Sequence, residues 1–338
     1  MRTVVEHYNL RNNNTFGVNA NCDYWIEFTE ASDIPGMMAN LPSTKYRCIG
    51  QGSNMLFVGD FKGALLHSRI LDMEMLTDNN DTLLRIGSGV SFDDVVARVC
   101  AAGLWGLENL SGIPGDIGAA AVQNIGAYGV EIKDAVDKVE AYDIAQNKFV
   151  DFTNAECDYD YRYSVFKSPE NLGRFIITYV TLRLTSIGSP RLDYGNLKSQ
   201  LAAKPSLSPM DVRDCVLATR DAKLPDPAKI GSAGSFFKNP IVDTEVYELI
   251  AKDYSPVTVP HFQHKDKIKI PAAWLIEQCG WKGRQMGNAA VWHLQPLVLV
   301  NATGLATGKE IETLEHAIIK DVEQKFGITL HPEADHIY

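Results

Sequence analysis

The stretch Ser111-Gly112-Ile113-Pro114-Gly115-Asp116-Ile117-Gly118 runs through Ala119-Ala120-Ala121-Val122 into Gln123-Asn124-Ile125-Gly126-Ala127-Tyr128-Gly129. From Gly103 to Gly129 there are 7 glycines in 27 residues, whereas 26 in 338 gives about two per such window. Glycine lets the backbone take positive φ and approach a ligand closely. Successive main-chain N–H groups then form a nest for anionic oxygens, the usual way a pyrophosphate is held. The residue types leave two readings open: such a cradle, or two tight turns around a buried alanine run. A shorter stretch, Gly50-Gln51-Gly52-Ser53-Asn54, follows the strand-like Tyr46–Ile49 and offers donors of the same kind.

Composition narrows what such a cradle serves. The chain has 338 residues, 45% of them hydrophobic, enough for two or three domains of about 150 residues. Its formal charge is −10, with no Lys/Arg block, so the basic footprint that nucleic-acid binding requires is absent. No apolar run approaches the ~20 residues that span a bilayer, and Met1 to Asn9 lacks a continuous apolar signal core, so no membrane partner is expected. The six cysteines are scattered without a Cys-x-x-Cys pair, which fits reduced thiols in a cytoplasm. The Asn-x-Thr triplets at Asn13 and Asn301 then read as chance matches.

Other nucleotide and hydrolase signatures are missing. No Gly-x-Gly-x-x-Gly follows a strand, and Gly308-Lys309 is followed by Glu310 where a P-loop needs Ser or Thr. No Gly-x-Ser-x-Gly elbow occurs. His261-x-x-His264 lacks further ligands at metal spacing, so no metal is expected.

Helices are announced by caps. Ser91 with Asp94 predicts a capping box ahead of Phe92, Val95, Val96 and Val99, with Gly103 as the stop. Ser208-Pro209 with Asp211 opens a second helix, its Val212, Cys215 and Val216 turned inward. Thr307 with Glu310 opens a third, whose Ile311, Leu314, Ile318 and Val322 lead to Gly327. Strand-like runs at Tyr46–Ile49, Leu83–Ile86, Phe175–Leu184 and Leu297–Val300 alternate with them. The mixture points to an α+β fold, or to α/β with mixed sheets. Ser186–Pro227 reads as a connector carrying one helix, and the main domain boundary falls there.

The two glycine-dense stretches together resemble the flavin-binding half of the UDP-N-acetylenolpyruvoylglucosamine reductase (UDP-N-acetylmuramate dehydrogenase) family. Further similarity runs almost end to end. It is carried by Asn14-Thr15-Phe16-Gly17, Asp160-Tyr161-Arg162-Tyr163-Ser164-Val165-Phe166-Lys167, Lys223-Leu224-Pro225-Asp226-Pro227, Gly234-Ser235-Phe236-Phe237-Lys238-Asn239-Pro240, Ala272-Ala273-Trp274-Leu275-Ile276-Glu277 and Pro332-Glu333. The segment around Tyr194 is similar to the longer subtype, which has a substrate-contacting tyrosine loop. Gln51 and Ala119 stand where relatives commonly carry glycine, and Ala334-Asp335-His336 departs from the usual continuation after Glu333.

The resemblance implies a flavin fold of the vanillyl-alcohol-oxidase/p-cresol-methylhydroxylase type. It implies flavin-binding subdomains over 1–70 and 71–222 and a substrate-binding domain over 223–338, whose tail returns to the active site. It implies tightly but non-covalently bound FAD, with NADPH as hydride donor and UDP-N-acetylglucosamine enolpyruvate as substrate, in a monomer. The implied FAD contacts are Gly50, Gly52, Ser53, Asn54, Ile113, Pro114, Gly115, Gly118, Gln123, Asn124, Gly126, Tyr128, Gly129 and Arg220. Tyr194, Lys223, Asn239 and Gln295 are the implied substrate contacts, with Lys238 flanking the site.

Three residues are implied to carry the chemistry. On residue type alone, Ser235 beside glycine is a turn residue, Arg162 among tyrosines covers apolar surface, and Glu333 is a solvated acid. The resemblance gives them roles. Hydride reaches the β-carbon of an alkene conjugated to a carboxylate, and the Arg162 fork with a protonated Glu333 stabilises the charge that develops there. Ser235 then protonates the α-carbon. A hydroxyl is a feeble acid, so the acceptor must be strongly basic and fixed close by. A neutral Glu333 requires a pKa raised by burial. The rival readings are another flavin oxidoreductase of the same fold and a non-catalytic nucleotide-sugar-binding protein.

Overall fold

The computed structural model describes residues 2–78 and 81–338. They form two compact units, and the chain passes between them more than once. The first holds the N-terminal residues up to Tyr8, Cys22–Gly52 and Lys62–Ala222; the second holds Asn9–Asn21, Ser53–Phe61 and Lys223–Tyr338.

In the first unit, strands Arg2–Asn9, Asn21–Phe28, Phe61–Ser68 and Tyr46–Ile49 lie in that order, the last pair parallel with Tyr46 opposite Ala64. Helix Asp33–Ala39 buries Ile34 and Met37 with Ile26, Phe28 and Leu66. A second sheet orders Lys148–Thr153, Val136–Asp143, Phe175–Thr185, Asp81–Gly87 and Met73–Asp78, all antiparallel. Its inward Leu84, Ile86, Val139, Val180 and Leu182 pack with Phe92, Val95, Val96 and Val99 of helix Phe92–Ala101 and with Ile117, Ala120 and Ala121 of helix Ile117–Gln123. The glycine-dense segment is thus the surface of a packed layer, held by the apolar stripe within it.

Two local expectations need correction. The Ser91–Asp94 capping box does not form. Ser91 is the N-cap but makes no side-chain bond to the helix, and its backbone is bridged to Asp116. Phe92 N, the first orphan donor of the helix, is satisfied by Gly115 O at 2.8 Å, so the cap is supplied by the glycine bend itself. The connector holds two helices, Leu197–Leu201 and Pro209–Asp221. The first forms because Leu197 and Leu201, one turn apart, bury against Val212 and Val216. The capping boxes at Ser208 with Asp211 and Thr307 with Glu310 are both present.

The second unit contains an antiparallel sheet ordered Gly231–Ser235, Val298–Asn301, Ala289–Val291 and Gln285–Met286. Leu297 lies outside it, because Gln295 O takes Val298 N in a turn at the strand start. A three-stranded sheet of Ile241–Val242, Lys267–Lys269 and Phe262–His264 and the helices Thr244–Tyr254, Ala272–Gln278 and Gly308–Phe326 complete its larger elements. Strand Asp335–Ile337 pairs in parallel with Met55–Phe57. Gly308 begins its helix against Phe57, and a Cβ there would lie 1.8 Å from Phe57 O. Asn301 is buried, giving Nδ2 to Phe16 O and accepting Ala306 N, so its triplet offers no site for a sugar.

All six cysteines are free thiols. Among the described residues no helix is long and apolar enough to cross a membrane, and no group of three His, Cys, Asp or Glu is placed to hold a metal.

Candidate active site

Within the first unit the two glycine bends are neighbours. Gln51 Nε2 donates to Asp116 Oδ1 at 2.8 Å. A Cβ on Gly50 would lie 2.9 Å from Asp116 Oδ2 and 3.5 Å from the Ala119 methyl. The bends therefore meet too closely for a side chain at Gly50. Gly118 is equally confined, its missing Cβ falling 2.7 Å from that of Ser88. Gly52, Gly112, Gly115 and Gly129 take the positive φ for which glycine is suited. Asp116 is buried, and its desolvation pushes its pKa up to about 6 against the opposing Gln51 hydrogen bond and the charges of His67 and Arg69.

Gln123 Oε1 accepts from Lys167 Nζ at 2.5 Å, which fixes the amide, and its buried Nε2 has no partner among the described residues. A donor left so costs about 1–3 kcal/mol, a cost that an acceptor on a bound molecule removes. Arg220 gives Nη2 to Gly112 O at 2.9 Å, and no carboxylate of the described residues lies within ion-pair distance of it. Burial pulls its pKa down. A half-buried guanidinium with no carboxylate in salt-bridge contact, beside the Gly112 bend, suits a pyrophosphate and so fits FAD. Arg213 is occupied elsewhere: it grips Asp93 in a bidentate pair at 2.6 and 2.8 Å, and Asp93 Oδ1 also takes Gly112 N.

Asn124 is a bracket. Fully buried with φ +46°, it gives Nδ2 to Glu131 Oε2 and Asp160 O and accepts Lys133 N. Its bond to Asp160 holds the tight turn that carries Arg162, itself at φ +54°. Arg162 Nη2 in turn donates to Gly126 O at 2.9 Å. Tyr128, at φ +50°, meets Tyr194 edge to face with ring centroids 5.9 Å apart. The first unit thus brings together Gly50, Gly52, the 112–129 segment, Arg162, Tyr194 and Arg220. Sequence reasoning missed Asn109, which ties Tyr128 O to Arg191 O through Nδ2, and no local signal marks it.

Ser235, Glu333 and Asn54 lie in the second unit, and the structure brings them together there. Gly234, at φ +68°, and a register shift after Ser232 turn Ser235 out to solvent, while Phe236 and Phe237 are buried as anchors. The C-terminal segment runs antiparallel to this loop: Lys238 N bonds His331 O, Phe237 bridges Pro332, and Glu333 N bonds Phe236 O at 2.7 Å. Asn54 Nδ2 donates to Glu333 O at 3.1 Å, and Asn54 O accepts Asp335 N. The half-buried Glu333 is therefore clamped at both its amide and its carbonyl, across from Phe236, the residue after Ser235. Ser53 begins the same excursion of the chain.

The remaining substrate candidates have local bonds. Asn239 Oδ1 accepts Ala272 N, supplying the cap that Pro271 cannot give its helix. Lys223 O takes Trp292 Nε1, and Gln295 Oε1 takes Leu297 N at 3.4 Å. Ile113 packs partly buried on the core of the first unit, next to Pro114.

These arrangements define a flavin-dependent oxidoreductase, and residues 37–153 match the family model described as FAD binding domain. Residues 226–337 match the model of the UDP-N-acetylenolpyruvoylglucosamine reductase C-terminal domain. The chain is 43% identical over 337 residues to that reductase of Bacteroides fragilis, covering 99% of this chain and 100% of the relative. It is also 43% identical over 341 residues to the Porphyromonas gingivalis reductase, with 99% of each covered. The crystal structure of the Thermus caldophilus reductase shares the fold at a TM-score of 0.67 and 22% identity, covering 100% and 99% of the two chains. The chain belongs to the UDP-N-acetylenolpyruvoylglucosamine reductase family. Its fold is the α+β fold expected from the sequence, an FAD-binding domain followed by the reductase C-terminal domain.

Proposed function

We propose that the protein reduces UDP-N-acetylglucosamine enolpyruvate to UDP-N-acetylmuramate, a precursor of peptidoglycan, as a cytoplasmic monomer with non-covalently held FAD. Bound FAD, reduced by NADPH, supplies hydride to the β-carbon of the enolpyruvyl group. The first unit holds the coenzyme with its glycine bends, the Gln123 amide and the Arg220 guanidinium. Arg162, oriented through Gly126 O, faces the substrate carboxylate with its remaining donors.

Glu333 shares that carboxylate with it, so negative charge flowing off the alkene is met where it arises. Ser235 delivers a proton to the α-carbon and recovers one from solvent, to which it is exposed. Tyr194, Lys223, Asn239 and Gln295 bind the nucleotide sugar. One observation carries the reading of the catalytic pair: the 2.7 Å bond from Glu333 N to Phe236 O, which fixes an acid and an exposed hydroxyl in one frame. Anaerobic mixing with NADPH should bleach the yellow protein, and the enolpyruvyl substrate should restore the colour. A preparation that NADPH never bleaches, or that the substrate never restores, overturns the proposal.

A further inference from the structure

Behind the Glu333 segment lies a set of titratable groups, built on two buried glutamates, that this mechanism does not use. His336 Nε2 bonds Glu315 Oε2 at 2.6 Å, and Tyr338 OH donates to Glu312 Oε1 at 2.7 Å. Both glutamates sit one turn apart on the Gly308–Phe326 helix and are 3% exposed. Residues so buried on a surface helix are retained at a cost unless paired. Their partners are alternate residues of the Asp335–Ile337 strand and the chain end that follows it. The His336 ring also meets the Phe236 ring edge to face at 6.0 Å. Phe236 thus touches His336 with its ring and Glu333 N with its carbonyl, and it is bonded in sequence to Ser235.

We propose that His336, anchored on Glu315, is a positioning residue that fixes Glu333 against Ser235 for the protonation step. This rests on the catalytic reading of those two residues. The groups facing His336 are few. Glu315 and Glu312 come from the helix, the Phe236 ring from the serine loop, and Tyr338 from the chain end that follows its own strand. Lys309 offsets Glu312 at 2.5 Å, and His316 acts on the same charge. The Glu315 hydrogen bond, against the opposing effect of burial and with help from the Glu315 and Glu312 charges, holds the His336 pKa above its ordinary value. A raised histidine pKa means that the charged latch is complete below the ordinary value and is lost as pH rises through the folded one.

The test follows the two half-reactions of the FAD-loaded, full-length protein separately. His336→Leu should slow reoxidation by the enolpyruvyl substrate by about 10- to 100-fold, the scale of a small misplacement of reacting groups, while NADPH reduction stays within a factor of about two. His336→Gln, which keeps a donor without the charge, should recover part of the rate. Wild-type reoxidation should fall on the alkaline side as the latch loses its charge, and His336→Gln should lack that fall. Equal slowing of both half-reactions, unchanged reoxidation in both variants, or the same alkaline limb in His336→Gln overturns the inference. Glu333→Ala is the control: if it leaves reoxidation unchanged, the catalytic reading fails first, whereas a slow Glu333→Ala with normal His336 variants sinks only the positioning role. Should His336→Leu not fold, the wild-type and His336→Gln profiles decide.

Discussion

Gln51 reaches across from one glycine bend to the Asp116 carboxylate of the other, 2.8 Å from amide to oxygen. The glutamine thus adds a side-chain brace between two main-chain bends. The brace ties down an acid that burial has pushed up to about 6. The sign follows from that direction: the folded protein keeps a proton that the unfolded chain has already released. The penalty is therefore absent below about pH 4 and complete above about 6, and is on the order of 3 kcal/mol. Asp116→Asn retains the acceptor for Gln51 and removes the titration. Apoprotein Tm should fall less steeply from pH 4 to 6 in Asp116→Asn than in the wild type; parallel curves would remove Asp116 from the account.

Arg220 offers a complementary probe of the same surface. Its guanidinium has Gly112 O as a partner but no carboxylate among the described residues. An anion bound there gains a charge-assisted contact of about 1.5–3 kcal/mol. Arg220→Gln should weaken FAD retention by about 10- to 100-fold, read from fluorescence of flavin released on dilution. The loss should shrink at high salt, where the wild type weakens too. Retention equal to wild type at low salt would place the pyrophosphate elsewhere.

Ser235→Ala separates the two halves of the cycle. The hydroxyl is exposed and the flanking phenylalanines hold the loop, so the substitution leaves the framework intact. Bleaching by NADPH should be unchanged, and return of colour with substrate should slow by about 10²–10⁴-fold, the range of general acid catalysis. Normal turnover would falsify the proton-donor role.

Much of this site was legible in the chain because it is written in local signals. Glycine density marked the bends, and the Ser208 and Thr307 caps marked helix starts, since φ preference and capping act over a few residues. What was not legible is tertiary. Ser91 carries the letters of a capping box, yet Gly115 O satisfies the helix donor first. The excursions Asn9–Asn21 and Ser53–Phe61 into the second unit carry no mark in composition, because parallel pairing of Met55–Phe57 with Asp335–Ile337 joins residues some 280 positions apart. The Glu315–His336 pair is equally silent. A glutamate in a long amphipathic helix reads as solvated until the strand that buries it is known.

Glu333 tests whether a neutral acid is required. Its amide and carbonyl are held by Phe236 and Asn54, so the side chain can be changed without releasing the segment. Glu333→Gln keeps a neutral donor of the same length, whereas Glu333→Ala leaves the developing carboxylate charge unmet. Loss of one such donor costs about 2.7–4 kcal/mol, or 10²–10³ in rate. Reoxidation in Glu333→Gln should therefore be at least about tenfold faster than in Glu333→Ala. Equal losses in the two would mean that the group acts ionised.

The tail's dependence on close packing yields the last prediction. Gly308 starts its helix directly over Phe57, and an alanine methyl would sit 1.8 Å from Phe57 O and 2.8 Å from Val58 Cα. Neither neighbour is the tip of a flexible side chain, so the backbone must move. Phe57 is the residue that Ile337 pairs with, so moving Met55–Phe57 disturbs its partner strand, the one that leads out of Glu333. Gly308→Ala should lower stability by about 1–3 kcal/mol, as overpacking does, seen as a lower denaturant midpoint with an unchanged slope. In the folded fraction, reoxidation by substrate should suffer more than reduction by NADPH. A variant as stable as wild type would show that helix and strand can part, leaving Glu333 held by Phe236 and Asn54 alone.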